Sequence, residues 1–187
     1  MPMDKPSSKE DTARNGEMNK AVYDGRLIAK ENVPKSLIST FPDSRVKLDR
    51  EFFDTGFFIT VSGRIHEIMK DFDYGGGEFH AALSYRKGKL GKPLGKPFYL
   101  LNFAGKESAL LPEVSSQLHH NKSLDTYSAL DLKDNDVVVS KAALEGPDVW
   151  IDEKMNSLDI FLSGPLGDAI KAAKPKSRIY MSKCGVQ

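Results

Sequence analysis

Apolar positions along the chain fall into two kinds of stretch, short runs of β-branched and aromatic residues and segments with apolar residues at helical spacing. FFITV (57–61), EFHAALSYR (78–86), FYLLNF (98–103), DVWID (148–152) and DIFLS (159–163) have the content of strands. DTYSALDL (125–132), NDVVVS (135–140) and a closing SRIYMSK (177–183) read as further strands. After Val61, Ile65, Ile68, Met69 and Phe72 fall on one helical face, and Tyr74-Gly75-Gly76-Gly77 is expected to stop that helix. Gly164 to Ala173 repeats the pattern with Leu166, Ala169, Ile170 and Ala173, and Pro175 prevents continuation.

Each helix follows a strand ending in Ser-Gly, at Ser62 and at Ser163, where a hydroxyl can accept from the first unpaired N–H groups. Aligned on these serines, Ile59/Ile160, Val61/Leu162, Ile65/Leu166, Glu67/Asp168 and Lys70/Lys171 correspond. One strand–Ser–helix unit is used twice, which predicts an α+β fold with a mixed or antiparallel sheet and packed helices. Residues 1–20 are polar without aliphatic periodicity and are expected to be a flexible tail. AVYDGRLIA (21–29) reads as a first strand, 31–46 as a connector with a helical turn, 104–122 as irregular and 140–146 as a helical turn capped by Ser140. Residues 21–187 are expected to form one domain, with room for two lobes meeting near 104–122.

Composition narrows the function. Lys+Arg 27 against Asp+Glu 26 leaves a net charge of +1, so no strong overall field draws in nucleic acid or anionic lipid. The single Cys184 excludes an internal disulfide framework and a multi-thiolate metal site. No apolar run reaches the roughly 20 residues of a membrane span, and the N-terminal segment has no apolar core like that of a secretory signal. A cytoplasmic protein without cofactor, metal, nucleic acid or membrane is expected.

Candidate chemistry is thin. GxxxxGK[ST] and GxGxxG are absent, so the Ser-Gly turns do not form a phosphate cradle. TVSGR and FLSGP lack the first glycine of a nucleophile elbow, and Pro165 constrains the second copy. Glu78 and His80 share a strand face and could converge on a ligand, but His119-His120 do not supply an evident third group. The loop KGKLGKPLGKP (87–97) could grip phosphate or an acidic partner through Lys87, Lys89, Lys92 and Lys96; lacking aromatics, it resembles a solvated loop. Trp150 is the only Trp, flanked by Asp148, Asp152 and Glu153, and suits either a core or an interface.

Taken in order, FFITVSGRIHEIMKDF (57–72), FYLLNF and PDVWIDEKMNSLDIFLSGPLGDAIKAAK (147–174) resemble bacterial immunity proteins of polymorphic-toxin systems, in particular the immunity family numbered eleven. The similarity covers roughly residues 50–182 and lies in the order of elements; the Lys/Gly loop has no counterpart. It implies a non-enzymatic cytoplasmic antitoxin that binds a cognate effector, of the kind delivered by contact-dependent systems including type VI secretion. The family carries over no interface residues. From the residues themselves, the expected partner surface is exposed Tyr74, Glu78, Trp150, Asp152 and Glu153, acids facing a cationic toxin cleft with an aromatic anchor. A small hydrolase using Glu78, His80 and one Ser is the alternative, and a homodimer stays open.

Overall fold

The computed structural model describes residues 9–39, 50–55, 58–86, 92–155, 159–176 and 179–187. Helix α1 spans Lys9–Tyr23, where the sequence predicts a tail and then a strand; residues 1–8 lie outside the described residues. Met18, Ala21 and Val22 form a single apolar turn on α1, with Met18 and Ala21 buried. That face is too short to stand out among polar neighbours. Asp24-Gly25 closes the helix: Gly25 has φ +63°, its N–H donates to Val22 O at 3.0 Å, and Arg26 N–H donates to Ala21 O at 2.8 Å. This is the Schellman arrangement, in which glycine takes the left-handed position at little cost. A dipeptide that also favours turns between strands here ends a helix.

A single 3₁₀ turn at Lys30–Asn32 leads to β1 (Ser36–Ser39). Next come β2 (Phe52–Asp54), β3 (Ile59–Ser62), α2 (Gly63–Met69), β4 (Glu78–Arg86) and β5 (Phe98–Asn102). They form a five-stranded sheet in the order β1-β4-β5-β3-β2. β1 runs parallel to β4, and the other pairs are antiparallel. The sequence predicts β3, β4 and β5; β1 falls inside the predicted connector and β2 in a stretch given no element, and both are edge strands of three or four residues, too short to carry an alternation. Position 57 of the predicted strand and positions 40–46 of the predicted connector lie outside the described residues.

The sheet is covered on both faces. Met18, Ala21, Ile28 and Val33 pack on Leu37, Ala82, Phe98 and Leu100. Asn102 ties this layer down, accepting from Ile28 N at 2.9 Å and donating to Ile28 O at 2.8 Å. On the other face Ile65 and Met69 of α2 and Leu166 and Ile170 of α3 (Gly164–Ala172) pack against Ile59, Val61 and Leu101.

The two strand–Ser–helix units are present as predicted. Ser62 Oγ accepts from Ile65 N at 3.4 Å and Ser163 Oγ from Leu166 N at 3.3 Å. α2 ends at Met69, earlier than the glycine run; Gly75 and Gly76, with φ +62° and +82°, instead turn the chain into β4. A Cβ on Gly75 would lie 1.7 Å from Ala104 O, so only glycine fits.

The rest of the chain builds a second layer. β6 (Lys106–Glu107) runs parallel to β10 (Val149–Asp152), which pairs antiparallel with β11 (Ile160–Leu162). β7 (Leu118–Asn121) and β8 (Thr126–Ala129) form a hairpin, and β9 (Val138–Val139) pairs parallel with β12 (Gly185–Val186). β6 and β7 lie inside 104–122, read from the sequence as irregular. The 140–146 turn is 3₁₀ over Lys141–Leu144, and Ser140 makes no side-chain cap. The predicted strand over 177–183 is absent from 179–183, and 177–178 lie outside the described residues. Ile179 and Met181 do alternate into the core, but pairing begins only at Gly185, whose N–H donates to Val137 O at 2.8 Å.

Candidate functional site

The two cap serines are occupied by structure. Ser163 Oγ, besides accepting from α3, donates to Asp148 Oδ1, and Asp148 Oδ2 accepts from Asp73 N at 2.8 Å. This Ser–Asp contact contains no histidine to take a proton, and it works as a clasp between the N-terminus of α3 and the turn before β4.

Glu78 and His80 do share a face of β4, with His80 Nε2 3.5 Å from Glu78 Oε1 and Lys30 Nζ 3.6 Å from the same oxygen. Among the described residues no serine hydrogen-bonds to either side chain. His120 is elsewhere, on the hairpin, stacked on Tyr127 at 4.6 Å and 2.9 Å from Asp125 Oδ1. Among the described residues no group of three or more His, Cys, Asp or Glu could hold a metal ion. A hollow lined by Val22, Arg26, Ile28, Leu101 and Asn102 has room for about one water molecule.

Of the five residues expected at a partner surface, three are buried, a correction to the sequence reading. Trp150 is 4% exposed and stacks on Phe161, with ring centroids 4.1 Å apart at 10°. Asp152, 3% exposed, accepts from Ala109 N at 2.9 Å, Leu110 N at 2.8 Å and Lys154 N at 2.9 Å. Tyr74, 5% exposed, donates its hydroxyl to Met69 O, closing the end of α2; burial pushes its pKa up. β10 is flanked by β6 and β11, and all four of its residues are buried. Strand alternation therefore carries no exposed face there. Glu78 and Glu153 stay exposed, Glu153 accepting from Ser108 Oγ.

One ion pair stood out in no motif. Glu51 receives Arg64 Nε at 2.8 Å and Arg64 Nη2 at 2.7 Å, and also Lys176 N at 2.6 Å. Arg64 Nη1 donates to Ala173 O at 2.7 Å, so the pair joins the approach to β2, helix α2 and the end of α3. Its partners lie far apart in sequence, so no local signal reveals it. The Arg64 guanidinium, and then the Lys176 N–H, hold the Glu51 carboxyl at about 2 instead of 4.5. A depressed carboxylate adds stability that is complete above about 4.5 and is lost as pH falls toward 2. Glu51→Gln should therefore lower stability at neutral pH by about 2 kcal/mol, allowing for solvent around Arg64. It should also flatten the acid limb of stability in that window, measured by urea unfolding at a series of pH values.

No helix among the described residues is long and apolar enough to cross a membrane. The model of an immunity protein family, Imm11, matches residues 5–180. No curated protein matches the chain.

Proposed function

Because the chain belongs to the immunity protein family Imm11, we propose that it binds and neutralises a cognate effector toxin, protecting the cell that makes it and its siblings. The observation that carries this reading is the family match over residues 5–180, which takes in both strand–Ser–helix units and the layer around β10. Inhibition is by direct binding in the cytoplasm, one antitoxin to one toxin, against an effector delivered by a contact-dependent system such as type VI secretion. An active-site block would use an interface of about 1,600 Å² in total. Glu78 and Glu153 are the part of the acidic surface that the fold leaves open to a partner.

Co-expression with the product of the gene immediately upstream, assayed as a toxin, tests this. The expected result is protection that titrates one-for-one, with a stable complex on gel filtration. Protection at a substoichiometric dose, abolished by His80→Ala or Glu78→Ala in folded protein, would instead establish an enzyme. Failure to bind or protect would remove the immunity role against that gene product.

A further inference from the structure

The corner where α1 turns down onto the sheet gathers side chains that the core does not use. Tyr23, the last residue of α1, is 55% exposed, and Leu27, four residues on, is 42% exposed. Neither belongs to a buried cluster among the described residues. Their chain neighbours Val22, Arg26 and Ile28, with Asn102 and Phe103, line the one-water hollow described above. The corner is held in shape by the Schellman bonds at Gly25 and by the two Asn102 bonds to Ile28. Binding there costs little ordering of the chain.

The charge around this corner is positive, and side-chain contacts place it there. Arg26 Nη2 donates to Asp24 Oδ2 at 2.9 Å and Arg26 Nε to the same oxygen at 3.3 Å. Lys106 of β6 crosses the turn: a Cβ on Gly25 would lie 2.4 Å from Lys106 Cβ, and Lys106 Nζ donates to Tyr23 O at 2.8 Å. That acceptor is a carbonyl, so it holds the ammonium without neutralising it. The Arg26 hydrogen bond and charge, then the charges of Lys20 and Lys106, draw the Asp24 carboxyl below the usual carboxylate range, so three cations surround one acid. Among the described residues neither Lys20 nor Lys106 makes an ion pair. Glu107, beside Lys106 in sequence, is directed elsewhere, with its Oε1 3.2 Å from where a Cβ on Gly146 would lie. Three cations less one carboxylate leave two positive charges in excess here, in a chain whose total is +1.

Tyrosine and arginine are the side chains that most often dominate binding, and surplus charge selects a partner of the opposite sign. A second copy is the wrong partner, because a two-fold interface would set the same positive excess against itself. We infer that the corner formed by the end of α1 and β6 is where the toxin docks, and that the toxin presents an apolar side chain flanked by carboxylates. The inference rests on the immunity reading and names the surface and partner chemistry for it.

The test uses the full chain and the purified, catalytically inactivated product of the gene immediately upstream. Affinity is measured by calorimetry for the wild type, for Tyr23→Ala/Leu27→Ser, for Lys20→Glu/Arg26→Glu, and for Lys141→Glu/Lys171→Glu, which makes the same charge change elsewhere. All six side chains are exposed, so the variants keep the fold, checked by circular dichroism. Tyr23→Ala/Leu27→Ser should weaken binding by about thirtyfold or more. Lys20→Glu/Arg26→Glu should weaken it at least about tenfold and flatten its salt dependence, while Lys141→Glu/Lys171→Glu binds like the wild type. Wild-type affinity in both corner variants would overturn the inference while leaving the immunity role standing. Equal weakening by the two charge reversals, with Tyr23→Ala/Leu27→Ser unaffected, would reduce the effect to overall charge and overturn it. Loss of binding only through Glu78→Lys/Glu153→Lys would overturn it in favour of the acidic surface. A wild-type dimer that Tyr23→Ala/Leu27→Ser converts to monomer, with toxin affinity kept, would assign the corner to a second copy and overturn it. No binding by the wild type would overturn both readings.

Discussion

Trp150→Ala is expected to destabilise the protein by about 3–5 kcal/mol, the range for truncating a fully buried large aromatic side chain. Trp150 sits in the middle of β10 among Ala109, Leu110, Val137, Val139 and Met155, with one ring face on Phe161. Truncation removes the stacking partner of Phe161 and leaves a cavity that strands held on both sides cannot collapse to fill. Trp150→Phe, which keeps most of the apolar volume, should cost much less. Because Trp150 is the only tryptophan, unfolding must be followed by circular dichroism in urea and not by its fluorescence. A folded Trp150→Ala protein of unchanged stability that had lost toxin affinity would restore Trp150 as an interface anchor.

Asp152→Ala should be nearly as damaging, by about 3 kcal/mol or more, for a different reason. The Asp152 carboxylate accepts from the backbone N–H groups of Ala109, Leu110 and Lys154, at 2.8 to 2.9 Å. Alanine leaves the Ala109 and Leu110 donors, both on buried residues, without an acceptor, at about 1–3 kcal/mol each. Asp152→Asn keeps one acceptor oxygen and turns an NH₂ toward the remaining donors, so it should lose less. Hydrogen exchange at Ala109 and Leu110 is the direct readout: both amides should exchange faster in Asp152→Ala and change little in Glu153→Ala, whose carboxylate lies at the surface. Equal protection in the two variants would show that Asp152 does not hold this segment.

These two residues also show where sequence reasoning stops. DVWID is a strand by composition, and the structure agrees over Val149–Asp152. Alternation says which residues share a face, but burial depends on what covers each face. Here Ala109, Leu110 and Val139 come from distant parts of the chain to cover Trp150. The acid at 152 looks like surface charge until two amide groups more than forty residues upstream are seen to point at it. Tyr74 is similar, since nothing in YGGG announces that its hydroxyl closes the preceding helix.

The sequence by itself determined the elements whose signals are local and long enough: β3, β4, β5, β10, β11, and the two helices capped by Ser62 and Ser163. A cap needs only a hydroxyl three residues before an N–H, and a buried strand announces itself by β-branched and aromatic content. The same order of elements pointed to the family. Tertiary structure alone decided the rest. It turned the expected tail from Lys9 onward into a helix over the sheet, because a single apolar turn gains its stability from packing and not from propensity. It paired β1 with β4 and β9 with β12, short strands that exist only because a neighbour supplies their hydrogen bonds. It also moved Trp150, Asp152 and Tyr74 inside, since exposure belongs to the whole assembly of layers and to no residue singly.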